Sequence, residues 1–292
     1  MINFPDFNMI AIKITNLDKS YGKIAALQNI NLAVPQGAIY GLVGSNGAGK
    51  TTLIKSLVGI TQPSSGQIFV MGHDPTTDKR KLRKKLGYMP QDTALYETLS
   101  VSSNIKFIAK TQSVKALDKN IRHVLSITEL SDRAHDPVHT LSGGMKKRVS
   151  LACALVHQPE ILFLDEPTAA VDPQLRARLW GLFQELAADG TTVVISTHLM
   201  DEALLCDKIT ILNKGKVVLV DSPLNIKRQG TTSISVNTSD QEYLEIINST
   251  PEAIAEHLHK FGLQNNVSSI GIDSSTLEEI VLSIVGENPV ET

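Results

Sequence analysis

Three mainly apolar runs in this chain each end abruptly in polar or glycine-rich residues. Ala38–Val43 leads into Gly44-Ser45-Asn46-Gly47-Ala48-Gly49-Lys50-Thr51-Thr52, Ile161–Leu164 into Asp165-Glu166, and Thr192–Ser196 into Thr197-His198. Short apolar runs bounded in this way predict strands buried within a sheet. Helical periodicity separates them: Leu53, Ile54 and Leu57 follow the first run, and Leu175, Leu179, Leu182, Phe183 and Leu186 follow the second. Strand and helix in alternation predict an α/β fold. Ahead of the first run, Ile10–Leu17, Lys23–Leu27 and Ile30–Val34 alternate, broken by Asp18–Gly22 and Pro35-Gln36-Gly37. They predict three short strands forming an antiparallel edge.

The pattern changes character between residues 92 and 140, where Ile105, Ile108 and Ala109, then Leu117, Ile121, Val124 and Leu125, keep a helical period with no strand signal. With the amphipathic helix carrying Met145, Val149, Ala152, Leu155 and Val156, a helical subdomain over about 92–150 is expected. Between the edge and this insert, Gln67–Met71 reads as a strand, Asp78–Leu86 as a short basic helix and Leu86–Gln91 as a brief strand. Beyond His198, Met200–Cys206 reads as a short helix, with a hairpin of Lys208–Leu212 and Lys216–Val220 around Asn213-Lys214-Gly215. From Thr231, strand-like runs around Ile234 and Val236 and over Val267–Ile272, with helical runs Ile254–Phe261 and Leu277–Val285, predict a small appended αβ unit.

Charge sharpens that last boundary. The chain's net charge is only −2, yet residues 231–292 hold ten acidic residues against one lysine, a net of −9 that leaves +7 on residues 1–230. The expected domains are therefore 1–230 and an acidic 231–292. At 292 residues and 42% hydrophobic content, the chain is long and apolar enough for a substantial core. Cys153 and Cys206 fall inside apolar helical patterns, which fits buried thiols in a reducing compartment rather than a disulfide framework. No stretch approaches the roughly 18 apolar residues of a membrane helix, and Met1–Asp6 has neither a basic flank nor an apolar core, so a cytoplasmic protein is expected. The basic run Lys79–Lys85 has few aromatics near it for base stacking and reads as a solvated helix face, not a nucleic-acid site.

The candidate chemistry sits where the apolar runs end. Gly44–Thr52 is a Walker A pattern: Gly44, Asn46, Gly47, Ala48 and Gly49 let backbone N–H groups converge on an anion at a helix N-terminus. Lys50 adds a charge for β- and γ-phosphates, and the Thr51 hydroxyl, beside Thr52, suits Mg²⁺. Asp165 and Glu166 are costly at the end of a buried strand unless a cation offsets them. Neighbours on a strand point to opposite sides, so Asp165 is free to face a metal while Glu166 reaches a water as general base. Ser142-Gly143-Gly144 opens a helix and suits either an anion or a plain helix cap, and Tyr21 suits either base stacking or an ordinary turn.

Taken in order, these features resemble the ATP-binding subunit of an ABC transporter over about residues 10–225. The resemblance implies a P-loop NTPase (RecA-like) core with an antiparallel β edge, a helical subdomain and the appended C-terminal unit. It assigns Tyr21 to stacking on the base, Gln91 to the Q-loop with a place at the metal, and Leu141–Met145 to the signature. Ile161–Glu166 becomes Walker B, Ala170-Val171-Asp172 the D-loop and His198 the switch histidine. ATP and Mg²⁺ are the implied ligands. A second ATP-binding subunit is the implied partner, identical or not, arranged head to tail so that Ser142, Gly143 and Gly144 act on the opposite nucleotide. The other implied partner is an integral membrane subunit, placing the chain on the cytoplasmic face of the membrane with no nucleic acid expected.

Met145 stands where the signature usually has Gln and is followed by Lys146, Lys147 and Arg148. That variant, with the extra C-terminal unit, looks like the branch that exports drugs, lipids, polysaccharides or ions. Two alternatives stay open: an importer ATPase with the same engine, and a soluble relative acting on ribosomes or DNA.

Overall fold

The computed structural model describes residues 10–239, 241–261 and 267–286; the reading of Met1–Asp6 and the last acidic residues of the chain lie outside them. Among the described residues are two compact units. One comprises residues up to Leu199 with Thr210–Leu219, and the other Met200–Ile209 with Val220 onward.

The amino-terminal edge is built from two long strands, β1 (Ile10–Tyr21) and β2 (Ile24–Pro35), paired antiparallel, where three short ones were expected. Lys23–Leu27 and Ile30–Val34 are one strand because Asn29, at φ 49°, absorbs the break in alternation as an irregularity within the ladder. Asp18–Tyr21 stays in β1 because Asp18 Oδ1 accepts the Asn29 N–H at 2.8 Å and Oδ2 accepts the Ser65 hydroxyl at 2.8 Å. Those two bonds hold the Asp18 carboxyl below its ordinary pKa.

Next come β3 (Ile39–Val43), α1 (Lys50–Leu57), β4 (Ser65–Val70), α2 (Lys79–Lys85) and β5 (Leu86–Met89). The insert is helical as expected, with α3 (Val101–Thr111), α4 (Leu117–Ile127) and α5 (Gly143–Leu155). After it follow β6 (Ile161–Asp165), α6 (Pro173–Ala188) and β7 (Thr192–Thr197). Asp172 caps α6 by accepting the Leu175 N–H at 2.9 Å, and Pro173 occupies the first turn, where its missing N–H costs nothing. The chain continues through α7 (Met200–Ala203), β8 (Lys208–Asn213) and β9 (Lys216–Asp221).

Two sheets result. One is antiparallel, in the order β2-β1-β4; the other has the order β5-β6-β7-β3-β8-β9, with β5, β6, β7 and β3 parallel. Every residue of β3, β6 and β7 is buried, which is why their sequences are mainly apolar, with buried hydroxyls on β7 and Asp165 at the end of β6. Parallel strands place their carboxyl ends side by side, and so bring the ends of β3, β6 and β7 to one edge of the sheet. The fold is the expected α/β P-loop NTPase arrangement.

The second unit adds α8 (Pro223–Lys227), β10 (Thr231–Thr238), β11 (Glu242–Asn248), α9 (Pro251–Phe261), β12 (Val267–Ser274) and α10 (Leu277–Val285). Its sheet runs β11-β10-β12, with Thr232, Ile234 and Val236 buried on the central strand. Sequence periodicity missed β11 because its residues lie almost wholly exposed on an edge, where burial imposes no alternation. It also missed α8, whose signal was the cap Ser222 and Pro223.

Candidate nucleotide site

The loop after β3 needs Gly44 and Gly49 for space. A Cβ on Gly44 would lie 2.3 Å from the Leu212 carbonyl, and Gly49, at φ 107°, would bring one to 2.9 Å from the Ala26 carbonyl. Gly49 is also the N-cap of α1, so the loop delivers its backbone directly to a helix N-terminus. Lys50 is 5% exposed and folds back on the loop, donating from Nζ to the carbonyls of Gly44 at 2.7 Å and Ser45 at 3.1 Å. Burial pushes its pKa below the ordinary lysine value, opposed by the nearby Glu166 and Asp165. The loop borders a cavity of about 560 Å³ lined by Asn46–Thr52 together with Gln91, Glu166 and Lys214.

At the adjacent strand ends, Asp165 of β6 pairs in register with Ser196 of β7. Ser196 Oγ donates to Asp165 Oδ1 at 2.5 Å and accepts the Glu166 N–H at 3.0 Å. Thr51 Oγ1 donates to the same Asp165 oxygen at 3.2 Å, while the buried Oδ2 has no hydrogen-bond partner among the described residues. Glu166 takes a left-handed φ of 50°. Its Oε1 lies 3.6 Å from Lys50 Nζ and 3.4 Å from His198 Nδ1, and its Oε2 accepts the Gln91 side-chain N–H at 3.3 Å. Three residues distant in sequence, Lys50, Gln91 and His198, thus converge on one carboxylate beside the phosphate loop.

The family model described as ABC transporter matches residues 27–169. The linearmycin resistance ATP-binding protein LnrL of Bacillus subtilis (strain 168) is 32% identical over 283 residues, covering 94% of this chain and 89% of that protein. The chain belongs to the ABC transporter ATP-binding family. This ABC protein is also 37% identical over 239 residues to the probable multidrug ABC transporter ATP-binding protein YbhF of Escherichia coli (strain K12). That match covers 81% of this chain but only 41% of the length of YbhF. Among solved structures, the ADP- and Pi-bound dimer of the ATP-binding cassette MJ0796 aligns with a TM-score of 0.68 and 28% identity, covering 72% of this ABC protein and 98% of MJ0796.

Not every residue expected at the site of this ABC protein lines the cavity. Tyr21 is the last residue of β1, not part of a turn, and it lies outside the cavity lining with the Lys19 ammonium 4.7 Å from its ring centroid. Ser142, Gly143 and Gly144 lie outside the lining as well. Ser142 Oγ accepts the Met145 N–H at 3.3 Å as the N-cap of α5, with Ser142 and Gly143 exposed. Three contributors were not anticipated. Ser196 was read only as part of a buried strand, although its place beside the strand carrying Asp165-Glu166 was the available signal. Lys214 and Gly215, read as a hairpin turn, reach the cavity. Among the described residues no helix is long and apolar enough to cross a membrane.

Proposed function

We propose that this chain is a Mg²⁺-dependent ATPase that powers export through a separate membrane subunit. The observation that carries the proposal is the convergence of Lys50, Gln91 and His198 on the Glu166 carboxylate, next to a phosphate loop and an orphaned Asp165 oxygen. Asn46, Gly47, Ala48, Gly49 and Thr52 hold the phosphates through backbone N–H groups at the start of α1, with the Lys50 ammonium on the β- and γ-phosphates. Thr51 and Asp165 fit Mg²⁺, because one buried carboxylate oxygen lacks a partner and a hydroxyl lies beside the other; Gln91 completes the proposed set. Bound there, Mg²⁺ supplies charge neutralisation at the phosphate oxygens.

Glu166 acts as general base toward the attacking water. His198, Gln91 and Lys50 flank its carboxylate and hold it in place. Ser142, Gly143 and Gly144 stay outside this chain's own cavity because they act on the nucleotide of a second subunit in a head-to-tail pair, with Tyr21 stacking on the base. The Met145-Lys146-Lys147-Arg148 variant and the resistance and multidrug names of the relatives favour export over import.

The test is purification of tagged Glu166→Gln from its native cells in mild detergent with Mg-ATP, followed by mass spectrometry. A stoichiometric multi-span membrane protein is the expected companion. Ribosomes, DNA or an ATP-closed dimer alone would contradict a transport role.

A further inference from the structure

The turn after β6 is held at two of its carbonyls by a side chain from the helical insert. Lys147, in the second turn of α5, donates from Nζ to the Glu166 carbonyl at 3.1 Å and also to the Ala169 carbonyl. Glu166 and Ala170, at φ 50° and 56°, both occupy the left-handed region, which is unfavourable for side-chain-bearing residues unless their surroundings hold them there. The Ala169 N–H reaches the Glu166 carbonyl at 3.3 Å and the Val171 N–H reaches the Thr168 carbonyl at 3.2 Å. A lysine ammonium has three donors and makes charge-assisted bonds, so it is well suited to hold two converging carbonyls.

The backbone of Glu166 is consequently fixed from both sides. Ser196 engages its N–H and Lys147 its carbonyl. Only the side chain is left to choose a direction, and it points toward Lys50, Gln91 and His198. We propose that Lys147 is a positioning residue for Glu166: its grip on the turn sets where the carboxylate is presented, and so governs hydrolysis rather than nucleotide binding. This rests on the reading of Glu166 as the base.

The test compares steady-state hydrolysis and fluorescent-nucleotide binding in the full chain for the parent, K147M, K147R, E166Q and the K147M/E166Q double variant. K147M is expected to lower kcat about 10- to 100-fold with KM and nucleotide affinity within about twofold, the cost of a misplaced reacting group. K147R, whose guanidinium also reaches two acceptors, is expected to recover most of the rate. In the E166Q background K147M should cost nothing further, because both changes act on one step.

Parental kcat in K147M, an equal loss in K147R, or an additive loss in the double variant would each overturn the proposal. E166Q with parental turnover would overturn the base and its positioning together, whereas inactive E166Q beside parental K147M would overturn the positioning alone. If K147M does not fold, K147R against K147Q decides: Arg is expected to retain turnover and Gln to lose it, and equal rates would refute the role of the charge.

Discussion

Ser196→Ala removes one hydroxyl that serves both acidic residues. In the folded chain Ser196 Oγ is fully buried, donates to Asp165 Oδ1 at 2.5 Å and accepts the Glu166 N–H at 3.0 Å. The second loss is partly covered, since the Glu166 N–H also reaches the Ser196 backbone carbonyl at 3.2 Å. The first is not, because among the described residues Asp165 Oδ1 keeps only the longer Thr51 bond at 3.2 Å. A hydrogen bond to a charged group contributes about 1.5–3 kcal/mol, so a loss of about 2 kcal/mol follows. At roughly 2–4 °C per kcal/mol for a body of this size, the melting midpoint should fall by about 4–8 °C. Freed from its anchor, Asp165 should hold Mg²⁺ about tenfold more weakly, as when an outer hydrogen-bond partner of a metal ligand is lost. Thermal melts of parent and S196A, repeated over a Mg²⁺ titration at fixed ATP, read both quantities. An S196A protein with the parental midpoint and parental Mg²⁺ half-saturation would refute the claim that this hydroxyl anchors Asp165.

Gly44→Ala would place a Cβ 2.3 Å from the Leu212 carbonyl, so the phosphate loop must shift; fluorescent-nucleotide affinity should fall by about tenfold or more. His157 is pushed below the usual histidine pKa chiefly by burial, while its Nε2 lies 3.0 Å from the Leu86 carbonyl. The unfolded chain therefore binds the proton more readily, and stability falls as pH drops from about 7 to 5; urea denaturation should show a shallower acid slope in H157Q, and equal slopes would exclude this source. Burial pushes the thiols of Cys153 and Cys206 up to about 12, so a thiol-reactive dye should label the native protein slowly and the denatured protein at once.

What could be read from the sequence follows where burial imposes a pattern. Ile161–Leu164 had to be apolar because β6 is buried throughout, and its abrupt end in Asp165-Glu166 marked the site before any geometry was known. The phosphate loop was equally legible, because crowding at Gly44 and the positive φ at Gly49 permit little besides glycine. The edge sheet was read less well: a bulge at Asn29 mimics a strand break when only alternation is followed. β11 was missed because an exposed edge strand carries no such pattern. Ser196 left no motif, and Lys147 stands out only as one of the basic residues after the signature, since their contacts depend on the pairing of β6 with β7 and on α5 reaching the turn after Glu166. These are contacts between distant segments, and local periodicity does not encode them.

Steady-state ATP hydrolysis by the purified chain and its Glu166→Gln variant, with nucleotide binding measured in parallel, bears on the whole scheme. The parent should turn over Mg-ATP, and E166Q should lose about 10²–10⁴-fold in kcat while binding nucleotide within a few-fold of the parent, as removal of a general base demands. Near-parental turnover by E166Q would contradict the assignment of Glu166 as the base that the surrounding lysine, glutamine and histidine serve.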